Sequence, residues 1–248
     1  MKNYFLLFVV GLAFFNSSVA QERLLTVGFQ VKPIIPTDIS DAGPVVLEST
    51  PFRATFAPAL GYGYGMVIRN GFNKSLSYEV GINYVKRKFS MLCEDLDSGI
   101  TDKSDFGLVS YEIPNQLLVY IQLGERLYMN TAGGISFNAY ASAVASKGQN
   151  NRFQQQSLLN TGFISFSAIA NVGFEYRTEK SGFFYIGASF NKPFKPVTRT
   201  TANYERNSFE NYSVETKLSG TYLTLDLRYF FHSKPIKEKK NRTEKKKK

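Results

Sequence analysis

The 248-residue chain has no Trp, one Cys (Cys93) and one His (His232). A single cysteine cannot close an internal disulfide. With no CxxC pair and no Cys/His cluster, no zinc or iron–sulfur site is expected. The stretch "CEDLDSGITDKSD" (93–105) is rich in carboxylates. It lacks the EF-hand spacing of a Gly at position six and a Glu at position twelve, so it reads as an acidic surface loop. The lone His232 follows the last alternating segment and has no catalytic partner in sequence reach, so no catalytic residue is assigned and no enzymatic activity is expected. No cofactor is implied, and after the N-terminal segment no run reaches the 18 or more apolar residues of a membrane-spanning helix.

An excess of charge of one sign is also missing from most of the chain. The formal net charge is +10, but Lys234–Lys248 alone holds eight Lys and one Arg against two Glu, a net of +7. No basic stripe interleaved with aromatics remains in the body, which argues against nucleic-acid binding. The segment 232–248 reads as a solvated basic tail, and its sharper reading is attachment to an anionic partner in the periplasm.

What is present begins with an address. "MKNYFLLFVVGLAFFNSSVAQE" has Lys2, an apolar stretch from Tyr4 to Phe15, and a small-x-small site at Ser18-Val19-Ala20. These are the parts of a secretory signal peptide over 1–20, with cleavage between Ala20 and Gln21. The apolar stretch is too short for a hydrocarbon core of about 30 Å.

The chain holds 22 Phe and 15 Tyr in all, and beyond the N-terminal segment it alternates. In "TYLTLDLRYFF" (221–231), Leu223, Leu225, Leu227, Tyr229 and Phe231 fall on one face. Asp226 and Arg228 fall on the other. The same period of two, the mark of a strand, recurs at 24–32, 60–69, 76–86, 113–123, 127–137, 166–176 and 183–191. Each segment has the length of a tilted membrane-crossing strand, about 9–11 residues. The connections alternate between about 26–29 residues and 3–6 residues, the asymmetry of a transmembrane barrel with long outer loops and short periplasmic turns. Arg69, Glu79, Glu112, Glu175, Asp226 and Arg228 all lie opposite the apolar face. In lipid each would cost roughly 2–4 kcal/mol, whereas inside a barrel they can pair. They are therefore expected to form a structural ion-pair network in the lumen.

With strands and loops placed, the chain resembles the small outer-membrane β-barrel proteins of Bacteroidota, the PorT-like group, over about residues 21–231. The resemblance is carried by "YEIPNQLLVYIQL" (111–123), a short turn, "LYMNTAGGISF" (127–137), and the aromatic end "RYFF" of the last strand. It implies that Tyr229 and Phe231 are read by the barrel-assembly machinery. Members usually stop at the terminal aromatic, and here 17 residues follow.

The expectation is an all-β protein of the outer membrane: an eight-stranded antiparallel up-and-down transmembrane β-barrel spanning 21–231, in contact with outer-membrane lipid. An interior of eight strands is only wide enough for side chains, so no open pore is expected. The expected role is structural or surface-binding. The alternatives are a secreted lipocalin-like barrel for a small apolar ligand and an outer-membrane enzyme acting on lipid.

Overall fold

The computed structural model describes residues 25–232, except 74, 149–151, 161 and 208. The expected signal peptide with its Ala20–Gln21 cleavage site, and the basic tail beyond His232, lie outside the described residues. Thirteen strands follow in order: β1 Leu25–Ile35, β2 Val45–Ser49, β3 Phe52–Gly71, β4 Leu76–Asp95, β5 Thr101–Gln122, β6 Leu127–Tyr140, β7 Val144–Lys147, β8 Phe153–Leu159, β9 Ile164–Arg177, β10 Phe183–Pro193, β11 Thr198–Asn207, β12 Glu210–Leu218 and β13 Tyr222–Phe230.

Eight of them close a ring in the order β1–β13–β10–β9–β6–β5–β4–β3, and β3 returns to pair with β1. Every pairing is antiparallel. Closure leaves no unpaired edge in the ring, which a sheet in hydrocarbon requires. Three tight turns at one end connect β3–β4, β5–β6 and β9–β10. They are closed by Phe72 N to Leu76 O (2.9 Å), Leu123 N to Leu127 O (2.9 Å) and Thr178 N to Gly182 O (3.0 Å). Gly182 takes φ +88°, a conformation that a side chain would strain. The first and last ring strands meet at the same level, where Phe231 N donates to Val27 O at 2.9 Å.

The alternation sets the two faces. Phe29, Val31, Tyr64, Met66, Ile68, Leu117, Val119, Ile121, Phe174, Ile186 and Leu227 are exposed on the outside of the ring. Thr26, Gln30, Asn83, Gln116, Asn171 and Ser189 are buried inside it. A sheet with an apolar exterior and a polar interior is the inverse of a soluble barrel and matches a lipid solvent.

β3, β4 and β5 run 20, 20 and 22 residues, about twice what a bilayer needs. Their outer halves rise beyond the apolar belt, and there the pattern inverts. On β4 the inward residues change from Ser77, Glu79 and Asn83 to Met91 and Cys93, all buried. Phe52, Ala54 and Phe56 of β3 and Phe106 of β5 face the same interior. A register shift between Ala59 and Tyr62 lets β3 change the parity of its inward positions between the two halves.

The expected long loops are thus largely strands. β2 pairs with the outer half of β3, and β7, β8, β11 and β12 form a second sheet in the order β12–β11–β8–β7. Phe153 of β8, Ala202 and Tyr204 of β11, and Val214 and Leu218 of β12 pack onto the inward face of the extended barrel wall. The Phe153 and Tyr204 rings stack at 4.4 Å, and Phe52 lies 5.6 Å from Tyr204. The result is a sandwich at the end of the barrel away from the tight turns, here called the head, with its own apolar core.

Candidate functional site: the packed lumen and the head

Along the barrel axis, the lumen side chains join in two clusters. In the half nearer the short turns, Arg69 on β3 donates to Glu79 on β4 through Nε (3.0 Å) and Nη2 (2.9 Å), and through Nη1 to Glu175 on β9. Arg177 donates to the other oxygen of Glu175 at 2.6 Å. Arg228 on β13 bridges Glu79 and Asp226, at 2.6 Å to each. Lys32 on β1 approaches Asp226 at 3.7 Å, and Ser189, Asn171 and Thr224 donate to the same carboxylate. Rings sandwich the guanidiniums: Arg69 lies 3.9 Å from the Phe230 ring and Arg228 lies 4.8 Å from that of Tyr185.

The second cluster closes the lumen beneath the head. Arg87 on β4 meets Glu112 on β5 at 3.3 Å and donates to the carbonyl of Gly220 at 2.8 Å. The Tyr222 hydroxyl donates to Glu112 at 2.5 Å, and Ser110 does so at 3.1 Å. Arg87 also sits over the rings of Tyr140 and Tyr222 at 5.3 and 5.1 Å.

All six lumen residues inferred from the sequence therefore point inward and are buried, and their partners lie on β1, β3, β4, β5, β9, β10 and β13. Lys32, Arg87 and Arg177 were not singled out. Their inward parity was readable, but Lys32 closes an alternating segment while Arg87 and Arg177 fall one residue past theirs. In the lumen the four buried cations Lys32, Arg69, Arg87 and Arg228 balance the four buried carboxylates Glu79, Glu112, Glu175 and Asp226, and half-buried Arg177 adds a fifth cation at the short-turn end. These side chains interlock across the lumen. Ion pairs this deep contribute little net stability against an apolar isostere, but removing one partner is costly.

The terminal aromatics lie on the outside. Tyr229 and Phe231 pack edge to face at 5.4 Å, and Phe29 joins Phe231 at 5.6 Å.

The head's apex joins two hairpin tips. Arg206, near the end of β11, reaches Asp95 at 3.4 Å and Asp97 at 3.3 Å on the β4–β5 hairpin. Tyr204 donates to Asp95 at 2.7 Å, and the amides of Asp97 and Ser98 donate to it at 3.0 and 3.1 Å. Burial opposes ionisation of Asp95, but these donors outweigh it and hold the carboxyl at about 2. The expected acidic surface loop is this hairpin. Among the described residues no group of His, Cys, Asp and Glu could hold a metal ion. Cys93 is a free thiol at 0% exposure in the head core, and burial pushes it up to about 12.

No protein-family profile and no curated protein matches the chain. Among solved structures it is similar to the outer membrane protease OmpT from Escherichia coli, at 12% identity over 84% of this chain and 95% of that one, with a TM-score of 0.33. It is also similar to the COG4313 outer membrane channel from Pseudomonas putida F1, at 11% identity over 87% and 98%, with a TM-score of 0.29. A third is the CymD monoaromatic hydrocarbon channel, at 10% identity over 87% and 90%, with a TM-score of 0.16. The closed ring, with its apolar exterior and charged interior, is a transmembrane β-barrel fold. One expectation is corrected at this point. The lone His232 argued against enzymatic activity, but a protease stands among the similar structures, so the expectation of no activity is withdrawn. At these similarities no activity transfers either.

Proposed function

We propose that this barrel is a closed anchor that presents the head at the cell surface for binding. The supporting observation is the continuity of β3, β4 and β5, which run unbroken from the charge-packed lumen into the head sheet. Such strands transmit no hinge between membrane and surface. Loops held on a rigid scaffold are where binding residues concentrate. The resemblance to PorT-like proteins fits this reading, since 111–123 and 127–137 fall on β5 and β6 across a short turn. Processing at Ala20, recognition of Tyr229 and Phe231 by the assembly machinery, and the separate basic tail belong to the same proposal.

Two measurements test it. In planar bilayers the purified barrel should give no stepwise conductance, and stable channels would overturn closure. On intact cells, Ser213→Cys on the outer face of β12 should react with a membrane-impermeant maleimide. Cys93, the only native thiol, is buried and protonated, so it adds no background. A Ser213→Cys variant that labels only after lysis would place the head on the wrong side.

A further inference from the structure

The outer face of the barrel wall carries an unbalanced feature on β3, β4 and β5. Tyr62, Tyr64 and Tyr111 are exposed there, and Tyr84 lies among them. The Tyr84 ring is 6.2 Å from Tyr62, 5.1 Å from Tyr64 and 5.9 Å from Tyr111. A tyrosine cluster at the head end of the apolar belt marks a membrane–water interface, where one end of the ring is apolar and the other wet.

Directly above it on β4, on the same face, come Lys86 and Lys88. In the ladder Lys86 stands opposite Tyr62 and Val109, and Lys88 opposite Ala59 and Gly107. Gly107 leaves room beside the Lys86 stem, which lies along it. Lys88 is exposed and Lys86 half-buried. Among the described residues neither ammonium is ion-paired. Asp105, the nearest outward carboxylate along β5, is bonded to neither, and it has Lys103 beside it on the same face. At a comparable height elsewhere, Lys192 is drawn to Asp41 at 3.9 Å and donates to Ser40 at 2.5 Å. Two free cations over an aromatic belt, with aliphatic stems running along the wall, have the arrangement that extends charge to headgroup level.

We propose that Lys86 and Lys88, with the tyrosines beneath them, form a site for the anionic, phosphate-bearing headgroup of an outer-leaflet lipid. The ammonium groups take the phosphate, the tyrosine hydroxyls lie at the glycerol or sugar level, and the apolar belt below receives the acyl chains. The inference rests on the barrel's orientation in the membrane and not on what the head binds.

Native mass spectrometry of the full-length, detergent-extracted protein tests it, with added phosphatidylglycerol or phosphatidylcholine. The basic tail is present in every sample, so its contribution is common to all. The double variant K86Q/K88Q should weaken retention of phosphatidylglycerol by about thirty-fold at low salt and leave phosphatidylcholine unchanged. K86R/K88R should restore retention, and K103Q/K217Q, on the head, should behave as the native chain. Heat-modifiable gel migration checks closure of each variant, and the single variants K86Q and K88Q, each with an intermediate loss, keep the test open should the double variant not close. Equal retention of phosphatidylglycerol by K86Q/K88Q and the native chain would overturn the site. So would full competition by soluble glycerol phosphate, because the site requires the lipid's interfacial position.

Discussion

At the scale of single residues, the lumen is governed by what happens when a charge loses its partner. Glu79 accepts from Arg69 and from Arg228 and is 3% exposed. Glu79→Ala would leave both guanidiniums with a missing counter-charge in a site with no room for bulk water. The expected loss is about 3–5 kcal/mol. It should appear as a lower temperature at which the SDS-resistant barrel opens. Glu48→Ala is the surface comparison: its partner Arg53 sits at 2.6 Å, but both side chains are well exposed, so the expected loss is under about 1 kcal/mol. Equal opening temperatures for the two variants would mean that the lumen pairs are as solvated as the surface ones. The sequence made these positions readable because one rule, charge opposite an apolar face, applies to every barrel strand. It did not show which charge meets which, since the pairs cross between strands up to 149 positions apart, as Arg228 and Glu79 are.

At the scale of elements, the ring strands were legible and the head was not, for one physical reason. A strand in lipid keeps its apolar residues outside, and a strand in a water-borne sandwich keeps them inside. On β4 the exposed Ile82 and the buried Met91 and Cys93 belong to one continuous strand, yet their parity differs. In the sequence that change of phase reads as the end of a strand and the start of a loop. On β3 the register shift before Tyr62 reverses parity again, which hides the continuity of Phe52, Ala54 and Phe56 with the lumen side of the same strand. The tip of β4 carries a pH dependence of its own. Asp95 has its carboxyl held at about 2, below its ordinary value of 3.8, so its contribution is complete above that ordinary value and is lost as pH falls from there toward 2. The amides of Asp97 and Ser98 that donate to it should then exchange faster in that window, while amides of the lumen strands stay protected. Hydrogen exchange across pH 5 to 2 (roughly, the range that brackets both values) checks this. Unchanged exchange at the tip would show that Arg206 and Tyr204 hold the hairpin without the charge.

At the scale of the whole molecule, charge is divided by place. The fully buried charges of the lumen balance, and the apex of the head pairs its acids with Arg206. The chain's formal +10 is therefore concentrated in the segment after the last strand, where Lys234–Lys248 alone contributes +7. The last strand, β13, finishes at the short-turn end, beside β1 and the β9–β10 turn, where Tyr229 donates to Ser181 O at 2.6 Å. The turns there offer Glu125 and Glu179 against Arg126 and Lys180, and Arg126 already pairs with Glu179. No acidic face of the barrel end is left to neutralise +7, so we propose that the tail's counter-charge comes from an anionic surface in the periplasm. Exposed charges of this kind are screened beyond about 10 Å at 0.1 M salt. A peptide of residues 232–248 should therefore bind anionic vesicles or acidic cell-wall polymer at low salt and release them as salt rises. Deleting 233–248 should leave heat-modifiable migration unchanged, because the ring closes through Phe231 N and Val27 O without it. A peptide that ignores anionic surfaces at every salt concentration would reduce the tail to a spacer.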